Sequence, residues 1–214
     1  NSSIPRDSAS IKLTLTAPLS GPLVPLERVP DPVFAQKMVG DGISIDPLDQ
    51  CLRAPCDGQI AQLHPAGHAV TVTTPQGIEV LMHVGLDTVG LKGNGFTPKV
   101  RAGDSVRTGD ALIDFDADYV ATHAKSLLTQ IVVTNSERVA TFAPRSGSVT
   151  VGRDVILELT LADTQAEAAV ESAKTITSEA ILIPNPTGLH ARPAAVLANL
   201  AKKFKADVRI QKGD

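Results

Sequence analysis

Tryptophan is absent, tyrosine occurs once and phenylalanine five times, so aromatic side chains make up only 3% of the 214 residues. Base-stacking platforms and aromatic ligand cages are therefore not expected. An excess of one charge is missing too. Twenty Lys and Arg face 23 Asp and Glu, for a formal net charge of −3. No basic cluster interleaves with aromatics, which speaks against a nucleic-acid surface. No apolar run approaches the roughly 18 residues that a membrane span needs, so direct membrane insertion is not expected. Nor does a signal-peptide pattern open the sequence, and a cytoplasmic location is the expectation. The two cysteines, Cys51 and Cys56, form a single pair in "CLRAPCDG". A zinc ribbon needs two such pairs, so free thiols of a reducing compartment are expected. There is no G-x-x-x-x-G-K-[ST] loop for a nucleotide. No cofactor and no metal are expected.

What the sequence does have is a string of short β-like runs from residue 11 to about 160, cut by Gly, Pro and Asp. "IKLTLTAPL", "GISIDP", "GHAVTVTT", "GIEVLMHVG", "DALIDF", "QIVVTN" and "DVILELTL" are rich in Val, Ile and Thr. Such spacing predicts a mainly β chain, an antiparallel β-sandwich or barrel. One short helix is expected within "DADYVATHAKSLLTQ". Residues 1–14 read as a flexible lead, and 162–178, rich in Ala, Glu, Ser and Thr, as a linker. The remainder, 179–214, reads as strand, turn, helix and strand, with Leu197, Leu200, Ala201 and Phe204 on one helical face. Pro193 suits the first turn of that helix. A piece this small can hardly close a core alone, so an incomplete α/β domain is expected there.

Two histidines flank "AVTVTTPQGIEVLM", a hairpin with its turn at Thr74–Pro75–Gln76–Gly77. If Pro75–Gln76 is a two-residue loop, facing positions sum to 151, and His68 lies opposite His83 with Cβ atoms roughly 5 Å apart. If instead a type I turn is followed by a left-handed Gly77, facing positions sum to 152. That register gives the better apolar face, Val70, Val72, Ile78, Val80, Met82 and Val84, but turns the two histidines to opposite sides. Taken alone, a histidine such as His83 is more often structural than nucleophilic.

The wider stretch changes that balance. "PLSGPLVPLERVPDPVFAQKMVGDGISIDP", "APCDGQI", "GHAVTVTTPQGIEVLMHVGLDTVGLKGNGF" and "SGSVTVG" together resemble the glucose-type enzyme IIA domain of the bacterial phosphoenolpyruvate-dependent sugar phosphotransferase system. The resemblance runs over residues 15–161 in order and spacing. It implies that His83 carries the phosphoryl group on Nε2, that His68 beside it stabilises that group, and that both rings share a face, so that the second register is wrong or a further bulge corrects it. It further implies roles for Asp31 and Asp87 near the site, and for Val33 and Phe34 in an apolar docking surface. From the residues alone, Asp31 is equally a turn cap and Val33 and Phe34 equally core. The family often has a Thr two residues before the first histidine, bonding its ring; here Ala66 stands there. His64 and His123 match no motif and read as surface or packing residues. A neutral imidazole is nucleophilic at cytosolic pH, and a neighbouring N–H can neutralise charge on the phosphoryl oxygens.

"NPTGLHARPAA" resembles the active-site segment of HPr, the small phosphocarrier of the same system. By that resemblance Nδ1 of His190 takes the phosphoryl group at a helix N-terminus, and Arg192 supplies a charged fork to its oxygens. The implied partners are HPr, in cis or in trans, enzyme I, and the IIB domain of a membrane transporter for glucose or N-acetylglucosamine. Phospho-His190 would then donate to His83. Two other readings compete. A β-rich zinc endopeptidase shares "HVGLD", but also needs a later His-x-His that the sequence lacks. A regulatory domain that docks without chemistry would keep Phe34 yet tolerate loss of a histidine. A lipoyl carrier is a weak match, because Lys92 and Lys99 lack the expected neighbours.

Overall fold

The computed structural model describes residues 11–162. In chain order the strands are β1 Lys12–Thr16, β2 Gly21–Pro25, β3 Asp41–Ile45, β4 Cys51–Arg53 and β5 Gly58–Leu63. They continue with β6 Ala69–Thr73, β7 Glu79–His83, β8 Phe96–Pro98, β9 Ser105–Val106 and β10 Ala111–Phe115. The last four are β11 Thr129–Val133, β12 Val139–Pro144, β13 Ser148–Val149 and β14 Val155–Leu161. Two short helices interrupt them, α1 Pro32–Ala35 and α2 Ala117–His123. The first strand thus begins inside the stretch expected as a flexible lead. The expected helix forms only over its first half, and the rest of that segment runs into β11.

Every strand pairing is antiparallel. Eight strands form one sheet in the order β13-β2-β3-β11-β7-β6-β5-β9. Two three-stranded sheets, β1-β14-β12 and β4-β10-β8, complete the β-sandwich. Leu15 and Leu157 from one small sheet, Leu52 and Ile113 from the other, and Val72 and Met82 from the large one all belong to a single buried cluster. Full burial of each such side chain contributes roughly 1.5–3 kcal/mol.

The hairpin that carries the histidines follows the apolar pattern. Val70 pairs with Met82 and Val72 with Val80, the register in which facing positions sum to 152. Gly77 has φ +76, and its N–H donates to the Thr74 carbonyl at 2.8 Å. This is the type I turn with a left-handed fourth residue, which only glycine adopts without strain. Val70, Val72, Val80, Met82 and Val84 are all buried in the core. The other face of β7 meets a second, smaller cluster formed by Leu26, Val29, Phe34, Leu86 and Val132. That cluster lies beside His83. Cys51 and Cys56 are free thiols. Burial pushes the Cys56 thiol up to about 12.

Candidate functional site

His83 is the last residue of β7, on the face away from the main core, and is half-buried. Its Nδ1–H donates to the Gly85 carbonyl oxygen at 2.8 Å. A carbonyl only accepts, so this bond fixes the proton on Nδ1 and leaves the Nε2 lone pair free. Burial, the largest cause, lowers the His83 pKa; the Gly85 carbonyl and the Asp31 carboxylate pull the other way. The net effect keeps the ring neutral and nucleophilic at neutral pH.

The Gly85 carbonyl is aimed by a backbone that no other residue adopts cheaply. Gly85 has φ +72, and a Cβ there would stand 2.6 Å from Thr88 Cγ2 and 2.8 Å from the Ser126 carbonyl oxygen. Both neighbours are pinned. Thr88 is fully buried and its hydroxyl donates to the Val84 carbonyl at 2.9 Å. The Ser126 carbonyl accepts the Leu86 N–H at 2.8 Å. Gly85→Ala should therefore cost about 2–5 kcal/mol, from roughly 1–2 for the left-handed backbone and 1–3 for overpacking. Urea unfolding would measure it, and phosphoryl acceptance should fall as the carbonyl swings off Nδ1.

His68 is 2% exposed, with its ring centroid 4.8 Å from that of His83 in an edge-on arrangement at 72°. The two rings adjoin even though the hairpin takes the register that was expected to part them. The reason is that His68 lies one residue before β6, where strand pairing has ended and the pleat no longer dictates the face. Its carbonyl still accepts the Val84 N–H at 2.9 Å, which ties the two segments together. Burial, then the neighbouring His83 and His64, lowers the His68 pKa to about 3. His68 is therefore neutral throughout the physiological range, and its Nδ1 is sealed from solvent with no hydrogen-bond partner.

The other expected positions divide. Phe34 is buried, its ring centroid 5.5 Å from that of His83 at 58°, so it walls the site as well as serving the small cluster. Val33 beside it is half-buried. Asp31 caps α1: its carboxylate accepts the Val33 N–H at 2.8 Å, as a turn-capping residue would. Its charge also acts on His83. Asp87 is exposed, in the left-handed region at φ 59, and its side chain does not cap the 3-10 turn that follows. His190 and Arg192 lie outside the described residues. His123 is an exposed residue stacked on Tyr119, as expected.

Two residues join the site without having been expected there. Gln130 of β11 pairs directly with His83 of β7 and is fully buried. His64 lies against His68 with ring centroids 4.3 Å apart and the rings tilted at 52°. The only signal of His64 in the sequence is its place four residues before His68. Gln130 carries none, since a glutamine in a strand is ordinarily read as solvent-facing.

Comparisons with known proteins give the family and agree with the fold. Residues 13–139 match the family model for the phosphoenolpyruvate-dependent sugar phosphotransferase system, EIIA 1. Residues 177–214 match that for the PTS HPr component phosphorylation site. The chain is similar to the PTS system glucose-specific EIIA component of Halalkalibacterium halodurans, at 52% identity over 63% of this chain and 78% of the relative. It is 39% identical to that of Haemophilus influenzae, over 72% of this chain and 93% of the relative. Among solved structures, glucose permease IIA from Mycoplasma capricolum superposes with a TM-score of 0.66 at 36% identity, covering 69% of this chain and 96% of that one. Nothing in these comparisons favours the zinc-peptidase reading. The chain belongs to the EIIA 1 family of the phosphoenolpyruvate-dependent sugar phosphotransferase system, and it is a phosphoryl carrier of that system.

Proposed function

We propose that His83 is the phosphoryl acceptor of this carrier, that His68 stabilises the transferred group, and that the acceptor atom is Nε2 of His83. The observation that carries this reading is the bond from His83 Nδ1–H to the Gly85 carbonyl beside a second imidazole. In the transfer, the P–N bond to the phosphohistidine of HPr breaks and a P–N bond to His83 Nε2 forms. Positive charge then develops on the His83 ring, where the Gly85 carbonyl meets it. An N–H from His68 meets the negative charge on the phosphoryl oxygens, an arrangement that gains strength because the site is largely dry. Phe34, with Val33 and the exposed Val89 two residues past Asp87, offers an apolar rim against which partner proteins dock. Asp31 acts as a cap that also tunes His83, and Asp87 faces the partner.

The order of phosphoryl donors follows from the second motif. His190, within the segment matched by the HPr phosphorylation-site model, takes the group from enzyme I and passes it to His83, with Arg192 holding its oxygens. From there it goes to the IIB domain of a membrane transporter, for which the relatives' names favour glucose. No helix among the described residues is long and apolar enough to cross a membrane, which fits a carrier that works from the cytoplasm. The experiment is site mapping by mass spectrometry after incubation of the full chain with phosphoenolpyruvate, enzyme I and a complete HPr, analysed at alkaline pH where phosphohistidine survives. A phosphoryl group on His83 supports the reading. A bare His83 in the presence of active partners overturns it.

A further inference from the structure

We propose that His64 is a positioning residue for the phosphoryl site: it donates a hydrogen bond to His68 Nδ1 and thereby fixes the tautomer that His68 presents to the phosphoryl group. The inference rests on the reading of His83 as acceptor and deepens it. His64 closes a tight turn before β6, in which its N–H donates to the Ala69 carbonyl at 2.8 Å and its own carbonyl accepts the Gly67 N–H at 2.7 Å. Its Nδ1 accepts the Ala66 N–H at 3.1 Å. An imidazole nitrogen that accepts carries no proton, so in the neutral ring the proton of His64 sits on Nε2. His64 therefore has one N–H to give, and it is half-buried beside His68, ring centroids 4.3 Å apart and tilted at 52°.

His68 supplies the need. Its Nδ1 is buried and without a partner. An unpaired buried polar nitrogen destabilises the fold, a cost that a donor at this position removes. Ala66 has no polar side-chain atom to offer. The proposed bond needs a small tilt of the His64 ring, one that keeps its Nδ1 on the Ala66 N–H while its Nε2–H meets that lone pair. His68 is then held with its single proton on Nε2, the nitrogen left to serve the phosphoryl group. The result is a chain of fixed donors: Ala66 N–H to His64, His64 to His68, His68 to the phosphoryl oxygens, and His83 Nδ1–H to Gly85. Without His64, His68 would keep its proton on either nitrogen, and the form protonated on Nδ1 has nothing to donate to the incoming group.

The test reads the tautomer directly. Nitrogen-15 correlation spectra of the histidine rings in the full chain, at pH 8, are compared for the wild type, His64→Leu and His64→Gln, together with rates of phosphoryl acceptance from HPr. Gln keeps an N–H donor; Leu keeps bulk and loses it. The expected result is a His68 protonated on Nε2 in the wild type and in His64→Gln, and shifted toward Nδ1 in His64→Leu. Acceptance should fall about tenfold to a hundredfold in His64→Leu, the scale of loss when a partner that orients a working imidazole is removed, and stay within about threefold in His64→Gln. An unchanged His68 tautomer, or an unchanged rate, in folded His64→Leu overturns the proposal. Should His83 prove not to be the acceptor at all, the tautomer spectra still decide whether His64 holds His68.

Discussion

His83→Ala should take no phosphoryl group anywhere in residues 11–162, while His68→Gln should still accept one, about a hundredfold to a thousandfold more slowly. The difference follows from what each ring contributes. Removing His83 removes the nitrogen whose lone pair is freed by a fixed bond on the opposite side of the ring and which stands beside a second imidazole. His68 is not expected to replace it, because its Nδ1 is sealed from solvent and its Nε2 serves the phosphoryl oxygens as a protonated donor. Removing His68 leaves the nucleophile intact and takes away one preorganised donor, and the loss of one such donor typically costs about 10²–10³ in rate. The measurement is time-resolved intact mass with peptide mapping, so that label on His190 is not mistaken for label on the β-sandwich. Transfer to His68 in the His83→Ala variant would reverse the assignment of roles. Neither substitution should unfold the protein, and matching far-UV spectra would check that.

The sequence made much of this molecule readable, for reasons that differ from part to part. The runs that became β1, β3, β6, β7, β10, β11 and β14 carry Val, Ile and Thr in stretches long enough to declare themselves. Strand β2, "GPLVP", holds two prolines and a glycine, and β9 and β13 are two residues long, so pattern reading passes them by. The hairpin register was only half legible: the apolar face of Val70, Val72, Val80 and Met82 favoured the one that forms, while a shared face for His68 and His83 argued against it or for a further bulge. The meeting of His68 and His83 was not legible by the same logic, and pairing rules alone argued against it. Alternation holds within a strand, and His68 sits just beyond one. The family resemblance supplied what the pleat could not. His64 and Gln130 escaped both routes. The first is brought beside His68 by a turn whose path depends on backbone bonds, and the second lies beside His83 only because β11 pairs with β7 in that register.

A buried neutral histidine also makes the fold sensitive to acid, and the sign can be worked out. In the unfolded chain His68 titrates near its ordinary value of about 6.5; in the folded protein burial holds it at about 3. Between those two values the unfolded state binds a proton that the folded state refuses, so stability is intact above about pH 6.5 and falls as the pH drops toward 3. The loss is about 1.4 kcal/mol per pH unit, or about 3 kcal/mol by pH 4. Burial lowers the His83 pKa in the same sense and adds to the slope. Exposed carboxylates with lowered pKa values, such as Asp57 under its bonds from Thr108 and Glu27 beside Lys37, weaken the fold only at lower pH, where they take up protons. The informative quantity is therefore a difference between two proteins. Urea unfolding of the wild type and of His68→Phe, which keeps a ring and discards the titration, should give curves that separate as the pH falls from 7 to 4. His68→Phe should lose about 3 kcal/mol less over that range. Parallel curves would mean that His68 takes up its proton in the folded state. The ring would then be a cation beside His83 at mildly acidic pH, acting on the phosphoryl oxygens through its charge and no longer through a single fixed N–H.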